Sequence, residues 1–167
     1  MKQADHSYIN YRNTWVQLLS GAAEVFGSEI GIGQELSLSA GSKIAIFSWY
    51  GAQIKLTGEV ESSYVAEDTP MRFHLNIHAN LEERRRRAKE GSTEGPRTMI
   101  VGPTDSGKSS LCKLLLNYAV RMDWEPLFVD LDVGQTMITI PGTVGATCVK
   151  EPINVEKGLP LEVMVLE

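Results

Sequence analysis

The chain has 167 residues, enough for one good core or two small ones, and a formal net charge of -5. That mildly acidic balance excludes a global basic field for nucleic acid, so any RNA contact must be local. No apolar run approaches the length of a membrane span, and the first residues lack the basic and apolar regions of a signal peptide. Cys112 and Cys148 have neither metal nor disulfide spacing, which points to a reducing, intracellular compartment.

Met1 to Thr14 is polar and without period, and no structure is expected there. From Trp15 the pattern changes to short β-like runs at Trp15 to Leu19, Gln34 to Leu38, Lys43 to Trp49, Gln53 to Leu56 and Met71 to Ile77, separated by Gly, Ser, Asp or Pro. Regular short strands with such punctuation predict a small all-β, sandwich-like domain. In the last run Met71, Phe73, Leu75 and Ile77 alternate with Arg72, His74, Asn76 and His78, which predicts a strand with the histidines on its open face. Four strand positions span roughly 13 Å, too far for one metal ion, so His74 and His78 are expected to be surface side chains.

Leu81 to Glu90 places two acids before four arginines. Helical spacing pairs Glu82 with Arg86 and Glu83 with Arg87, predicting a solvated connecting helix; an RNA-contacting patch is the alternative. Gly91 to Pro96 then reads as a hinge.

Thr98 to Ser110 organises the rest of the chain. Met99, Ile100 and Val101 form an apolar strand run, and Leu111, Leu114, Leu115, Tyr118 and Ala119 repeat at helical spacing. Between them the pattern G-x-x-x-x-G-K-[ST] falls on Gly102 to Ser109, a phosphate-binding loop in its required strand–loop–helix context. Gly102 and Gly107 let backbone approach phosphate oxygens, and the intervening N–H groups form an anion nest at a helix N-terminus. Lys108 supplies a positive charge for the outer phosphates, and Ser109 a hydroxyl ligand for magnesium. A tight turn with an accidental lysine is the alternative.

Pro126 to Asp132 reads as a second apolar strand ending in carboxylates, followed by Val133, Gly134 and Gln135. A right-handed crossover would set it parallel to the first strand, with its acidic end beside the phosphate loop. There Asp132 can hold magnesium or accept a proton from a hydroxyl nucleophile. The alternative is that Asp130 or Asp132 caps the next turn. The expected fold class is therefore an α/β P-loop domain with an incomplete parallel sheet, preceded by a small all-β domain. The expected boundaries are an atypical N-terminus over 1–14, a β domain over 15–78, a helical linker and hinge over 79–96, and the first part of a P-loop domain over 97–167. About seventy residues follow the hinge, fewer than such a domain normally needs, so the chain is expected to stop short, its final run, Leu161 to Leu166, forming another strand.

Several stretches together resemble one family, the nuclear RNA 5′-hydroxyl polynucleotide kinases that include the Clp subunit of the pre-mRNA 3′-end cleavage factor. They are LLSGAAEVFGSEI (Leu18 to Ile30), GSKIAIFSWYGA (Gly41 to Ala52), YVAEDTPM (Tyr64 to Met71), GPTDSGKSS (Gly102 to Ser110), LLLNYAVR (Leu114 to Arg121) and LDVGQ with IPGTVGA (Leu131 to Ala146). The resemblance implies ATP and Mg2+ as ligands and transfer of the γ-phosphoryl group to an RNA 5′-hydroxyl. It implies that Lys43 contacts the nucleotide and that Asp105, Ser106, Gly107, Lys108, Ser109 and Ser110 cradle the triphosphate. Lys108 and Asp132 would carry catalysis, with Ser109 and Asp132 placing the metal. It further implies a nuclear location, RNA 5′ ends as substrate and other subunits of the 3′-end cleavage and polyadenylation machinery as partners, with tRNA processing as a related role and no membrane. The family also holds members that keep ATP as a structural ligand without turnover, which leaves an ATP-bound scaffold as the alternative. A GTPase or transport-type ATPase ranks third, because DVGQ is one residue shorter than the D-x-x-G-Q of GTPases and no N-K-x-D segment occurs.

Overall fold

The computed structural model describes residues 14–159 and 164–166, so the expectation for Met1 to Asn13 lies outside them. The N-terminal half is built from β1 (Thr14–Gly21), β2 (Ala23–Val25), β3 (Ser28–Ile30), β4 (Glu35–Leu38), β5 (Ile46–Phe47) and β6 (Ala52–Thr57). They form two antiparallel three-stranded sheets, ordered β4-β1-β6 and β3-β2-β5. Period-2 alternation sends Val16 and Leu18 of β1 inward, where they meet Ala23, Val25, Ile30 and Leu36 from both sheets. The chain changes sheets just after Gly21, where a left-handed φ of 84° is required and an added Cβ would lie 2.4 Å from the Gly51 carbonyl oxygen. The sandwich-like expectation holds. Of the run Lys43 to Trp49, only β5 pairs.

The strand expected at Met71 to Ile77 is instead the start of a 19-residue helix, α1 (Met71–Lys89). The alternation there is real but short, and a helical spacing runs through the same residues: Met71, His74, His78 and Leu81 share the face turned toward α2 (Lys108–Val120). Good helix formers from Leu81 onward extend it without a break, so an expected boundary between residues 78 and 79 falls inside α1. The surface histidines are corrected with it. Their Nδ1 atoms are buried without hydrogen-bond partners among the described residues, and the His78 ring stacks edge-on to Tyr118 at 5.1 Å. The charged end behaves as a solvated helix, with one exchange of partners. Glu83 takes Arg87 at 2.8 Å and also Arg86, whereas Glu82 turns to Arg85 and accepts from the Trp124 indole N–H at 2.9 Å. Gly91, at φ 80°, ends the helix, with Ser92 N–H donating to the Arg87 carbonyl.

The C-terminal half holds α2, β7 (Leu127–Asp130), β8 (Val144–Cys148) and β9 (Met164–Leu166). The α/β class holds, but the pairing within it differs from the parallel arrangement expected: β7 and β8 are antiparallel, and so are β8 and β9. Among the described residues nothing pairs with Met99 to Val101, so that run forms no strand; Met99 and Val101 are 71% and 79% exposed. Leu116, Val120, Phe128, Ile138, Val149, Ile153 and Leu159 form the core between α2 and the sheet. The strand expected at the end is β9, of which Met164–Leu166 lies within the described residues. Cys112 and Cys148 are free thiols, and no described helix is long and apolar enough to cross a membrane.

The two halves meet along α2. Asn117, 1% exposed, donates to the Phe26 carbonyl at 2.7 Å and accepts from Ile153 N–H at 2.7 Å. From the next residue and the next turn of α2, the Tyr118 hydroxyl and Arg121 donate to buried Glu24 at 2.5 Å and 3.2 Å, and Arg121 also pairs with Glu29 and the Gly27 carbonyl. Burial, reinforced by the hydrogen bond to Glu24, pushes the Tyr118 hydroxyl well above its ordinary range.

Asn117→Ala orphans the Phe26 carbonyl and the Ile153 amide and should cost about 2–4 kcal/mol of unfolding free energy, measurable as a lower denaturant midpoint. Burial holds His78 and His74 below the ordinary 6.5. The unfolded chain therefore binds more protons as pH falls through that value, so stability should decline from about pH 7 to pH 5. Replacing both histidines with leucine should flatten that slope in denaturant titrations at a series of pH values.

Candidate nucleotide-binding site

The loop from Gly102 to Gly107 is shaped by its own residues. Asp105 and Gly107 take left-handed backbone, with φ of 59° and 82°. Ser106 Oγ donates to the Pro103 carbonyl at 2.8 Å, and Lys108 Nζ folds back to the same oxygen at 2.7 Å. A Cβ on Gly102 would lie 2.9 Å from Ser106 Oγ, so a side chain there would push that hydroxyl off the Pro103 carbonyl. Gly107 is the N-cap of α2, and the first amide to close the helix is that of Leu111, onto the Gly107 carbonyl. Among the described residues no acceptor is bonded to the amides from Thr104 to Ser110. Their free donors and the helix dipole at the start of α2, with the half-buried Lys108 held on the Pro103 carbonyl, suit a polyphosphate.

The acidic end of β7 lies beside the first turns of α2. Phe128 and Asp130 alternate inward while Leu127 and Val129 stay exposed, so Asp130, 4% exposed, points beneath the helix. Its charge and, more strongly, burial raise the thiol pKa of Cys112, which stands one turn after Lys108. Asp130 Oδ1 accepts from Asp132 N–H at 3.1 Å and Oδ2 from Met137 N–H at 2.6 Å. Exposed Asp132 accepts from Gly134 and Gln135 N–H at 3.1 and 3.0 Å, both through Oδ1. Its Oδ2 has no partner among the described residues. Both aspartates therefore cap the turn, and Asp132 in addition presents one free carboxylate oxygen.

Thr136, Thr139 and Thr143 link their hydroxyls at 2.9 and 2.8 Å, and Gly142 N–H returns to the Val133 carbonyl at 2.7 Å, closing residues 131–143 on themselves. Gly145 has no room for a side chain: a Cβ would meet the Thr139 methyl at 2.4 Å.

The structure thus gathers Asp105 through Ser110 in one loop and sets the Asp130–Asp132 strand end against the helix that follows it. Lys43 lies exposed just before β5, with no hydrogen bond or ion pair among the described residues. Asp130 carries more of the site than its sequence position suggests, although a signal exists: Phe128 and Asp130 share one parity of the strand, so one of them had to be buried with the other. Oxygen donors at Ser109 and Asp132 suit magnesium, and the open amides suit the phosphates it accompanies.

Residues 102–166 match the family model described as the mRNA cleavage and polyadenylation factor CLP1 P-loop, and residues 8–88 match that of the N-terminal beta-sandwich domain of polyadenylation factor. Polyribonucleotide 5′-hydroxyl-kinase Clp1 of Danio rerio is 49% identical over 147 residues, 88% of this chain and 33% of that protein. The protein of the same name from Homo sapiens is 48% identical over 147 residues, covering 35% of its length. The chain thus spans about a third of the length of these relatives. Among solved structures, a wild-type Clp1p–Pcf11p complex superposes with a TM-score of 0.77 at 28% identity, covering 92% of this chain and 35% of that one. A second, concerned with the extended Pcf11p–Clp1p interface and with ATP loss in a glycine-to-arginine mutant, gives 0.75 at 26%, covering 90% and 37%. A β-sandwich followed by a phosphate loop, each matched in order by a domain of one family, has one reading: the chain belongs to the CLP1 family of mRNA cleavage and polyadenylation factors.

Proposed function

We propose that this chain forms the nucleotide-binding part of an RNA 5′-hydroxyl polynucleotide kinase of nuclear mRNA 3′-end processing, with tRNA processing as a related role. The observation that carries the reading is the phosphate loop: a row of unbonded amides and a lysine at the start of α2, next to a strand end that offers a free carboxylate oxygen. Helix α1 then joins a β domain to a P-loop domain beginning near residue 97.

In this reading the amides of Asp105, Ser106 and Gly107 and the hydroxyls of Ser109 and Ser110 hold the triphosphate of ATP. Lys108 leaves the Pro103 carbonyl for the outer phosphates, and Lys43 reaches the nucleotide from the β domain. The RNA 5′-oxygen attacks the γ-phosphorus as the bond to ADP breaks, and the hydroxyl proton passes to the Asp132 carboxylate. Mg2+, which Ser109 and Asp132 would help place, neutralises charge on the phosphate oxygens when bound. The protein's share is chiefly to position and to balance charge.

The partners in this reading are RNA 5′ ends and other subunits of the cleavage and polyadenylation machinery; the solved relatives are complexes with Pcf11p. A second reading, an ATP-bound scaffold without turnover, is favoured by the relative for which ATP loss is the structural question.

Phosphorylation of a 5′-hydroxyl RNA, measured beside MgATP affinity, separates the two. The assay compares this chain with a hybrid in which it replaces the matching third of the Danio rerio relative. Transfer by the hybrid supports the kinase; tight binding with no transfer by either supports the scaffold; no binding by either rejects both. Lys108→Ala should weaken ATP binding about 10- to 100-fold, the loss of one charge-assisted contact. Asp132→Ala should instead leave metal-free ATP binding intact and slow transfer by about 100-fold or more.

A further inference from the structure

The residue that sets the geometry of Asp132 is Asp130, and we propose that it is a positioning residue for magnesium-dependent nucleotide binding. This rests on Asp132 acting as the magnesium-placing group.

Asp130 is an unusual carboxylate: it is 4% exposed, and among the described residues no cation faces it. A buried charge without a counter-ion persists only where hydrogen bonds hold it, and here both oxygens are spent on backbone amides of one loop. One of those amides belongs to Asp132 itself. Asp130 therefore fixes the backbone at the base of the Asp132 side chain, and Asp132 Oδ1 then fixes Gly134 and Gln135. The two carboxylates act in series, each shaping the turn that the next one needs. What emerges is a single oxygen, Asp132 Oδ2, turned free while its twin is tied down. At its other end the series is anchored under α2, where Asp130 lies close enough to Cys112 to raise the thiol pKa. Asp130 thereby ties the position of Asp132 to the helix whose N-terminus is the phosphate loop.

Asp130→Asn is the informative change. An amide keeps one carbonyl acceptor but turns an NH2 toward the second backbone donor, so either the Asp132 or the Met137 amide loses its partner. A residue behind a metal ligand typically contributes about 10- to 100-fold to metal affinity. The experiment measures ATP affinity of the 167-residue chain with Mg2+ and with EDTA, for the parent, Asp130→Asn and Asp132→Ala. Amide hydrogen exchange at Asp132, Gly134, Gln135 and Met137 is followed without ligand. The expected result is that Asp130→Asn speeds exchange in this loop, leaves the EDTA affinity within about twofold, and removes about tenfold of the magnesium-dependent gain. A purely structural role would lower both affinities together and leave their ratio alone, which overturns the proposal. An unchanged exchange pattern also overturns it. If Asp132→Ala retains the full magnesium gain, the reading of Asp132 fails, and this inference with it. If Asp132→Ala loses the gain while Asp130→Asn keeps it, only the inference fails. Where Asp130→Asn does not fold, Asp130→Glu carries the same test, because it keeps the charge and displaces it by one methylene.

Discussion

The fold hangs on a buried polar joint. Glu24 sits in the sandwich, 6% exposed, and a carboxylate in that position is tolerable only because Tyr118 and Arg121 of α2 reach it. Asn117 adds bonds to the Phe26 carbonyl on one side and to the Ile153 amide on the other. A hydrophobic seam alone would let two small domains slide, whereas directional bonds to backbone groups fix one orientation. The phosphate loop inherits that orientation, because it is the N-terminus of the same helix.

This joint also explains a sequence pattern. GAAEVFGSEI and LLLNYAVR are two separate stretches of the family resemblance, and nothing in their composition says that they belong together. In the structure they touch: Glu24, Phe26, Gly27 and Glu29 from the first meet Asn117, Tyr118 and Arg121 from the second. Gly27, at φ 78°, lies against the Tyr118 ring, where an added Cβ would come within 3.1 Å.

Much of the architecture was legible from local pattern. Short apolar runs between turn residues marked Trp15 to Leu19 and Gln53 to Leu56 as strands, and the motif spacing alone located the phosphate loop and α2. The failures share a cause. Met71 to Ile77 alternates like a strand, yet Pro70 starts a helix there and its buried face is chosen by α2, a partner far along the chain. Met99 to Val101 has strand composition, but a strand is defined by its neighbour, and none of the described residues supplies one. The two aspartates were legible as a pair of candidates; which of them is buried depends on the face β7 turns to α2. Lys43 is identified only by resemblance, because a lone lysine before a short strand carries no signal of its own.

The joint carries a consequence for how the chain acquires its structure. Its hydrogen bonds span 91 to 97 residues, from Phe26 and Glu24 to Asn117, Tyr118 and Arg121. Loop-closure entropy grows only logarithmically with such a span, by about 0.6 kcal/mol per doubling, so the length costs little in final stability. It costs time instead, because contacts so distant in sequence slow folding. On the ribosome the sandwich emerges first, with Glu24 still in water, and its partners arrive only after α2 has been made. The β domain must therefore hold together on its own strands until the phosphate-loop helix is synthesised, and the nucleotide site becomes fixed in place as the last of these contacts closes.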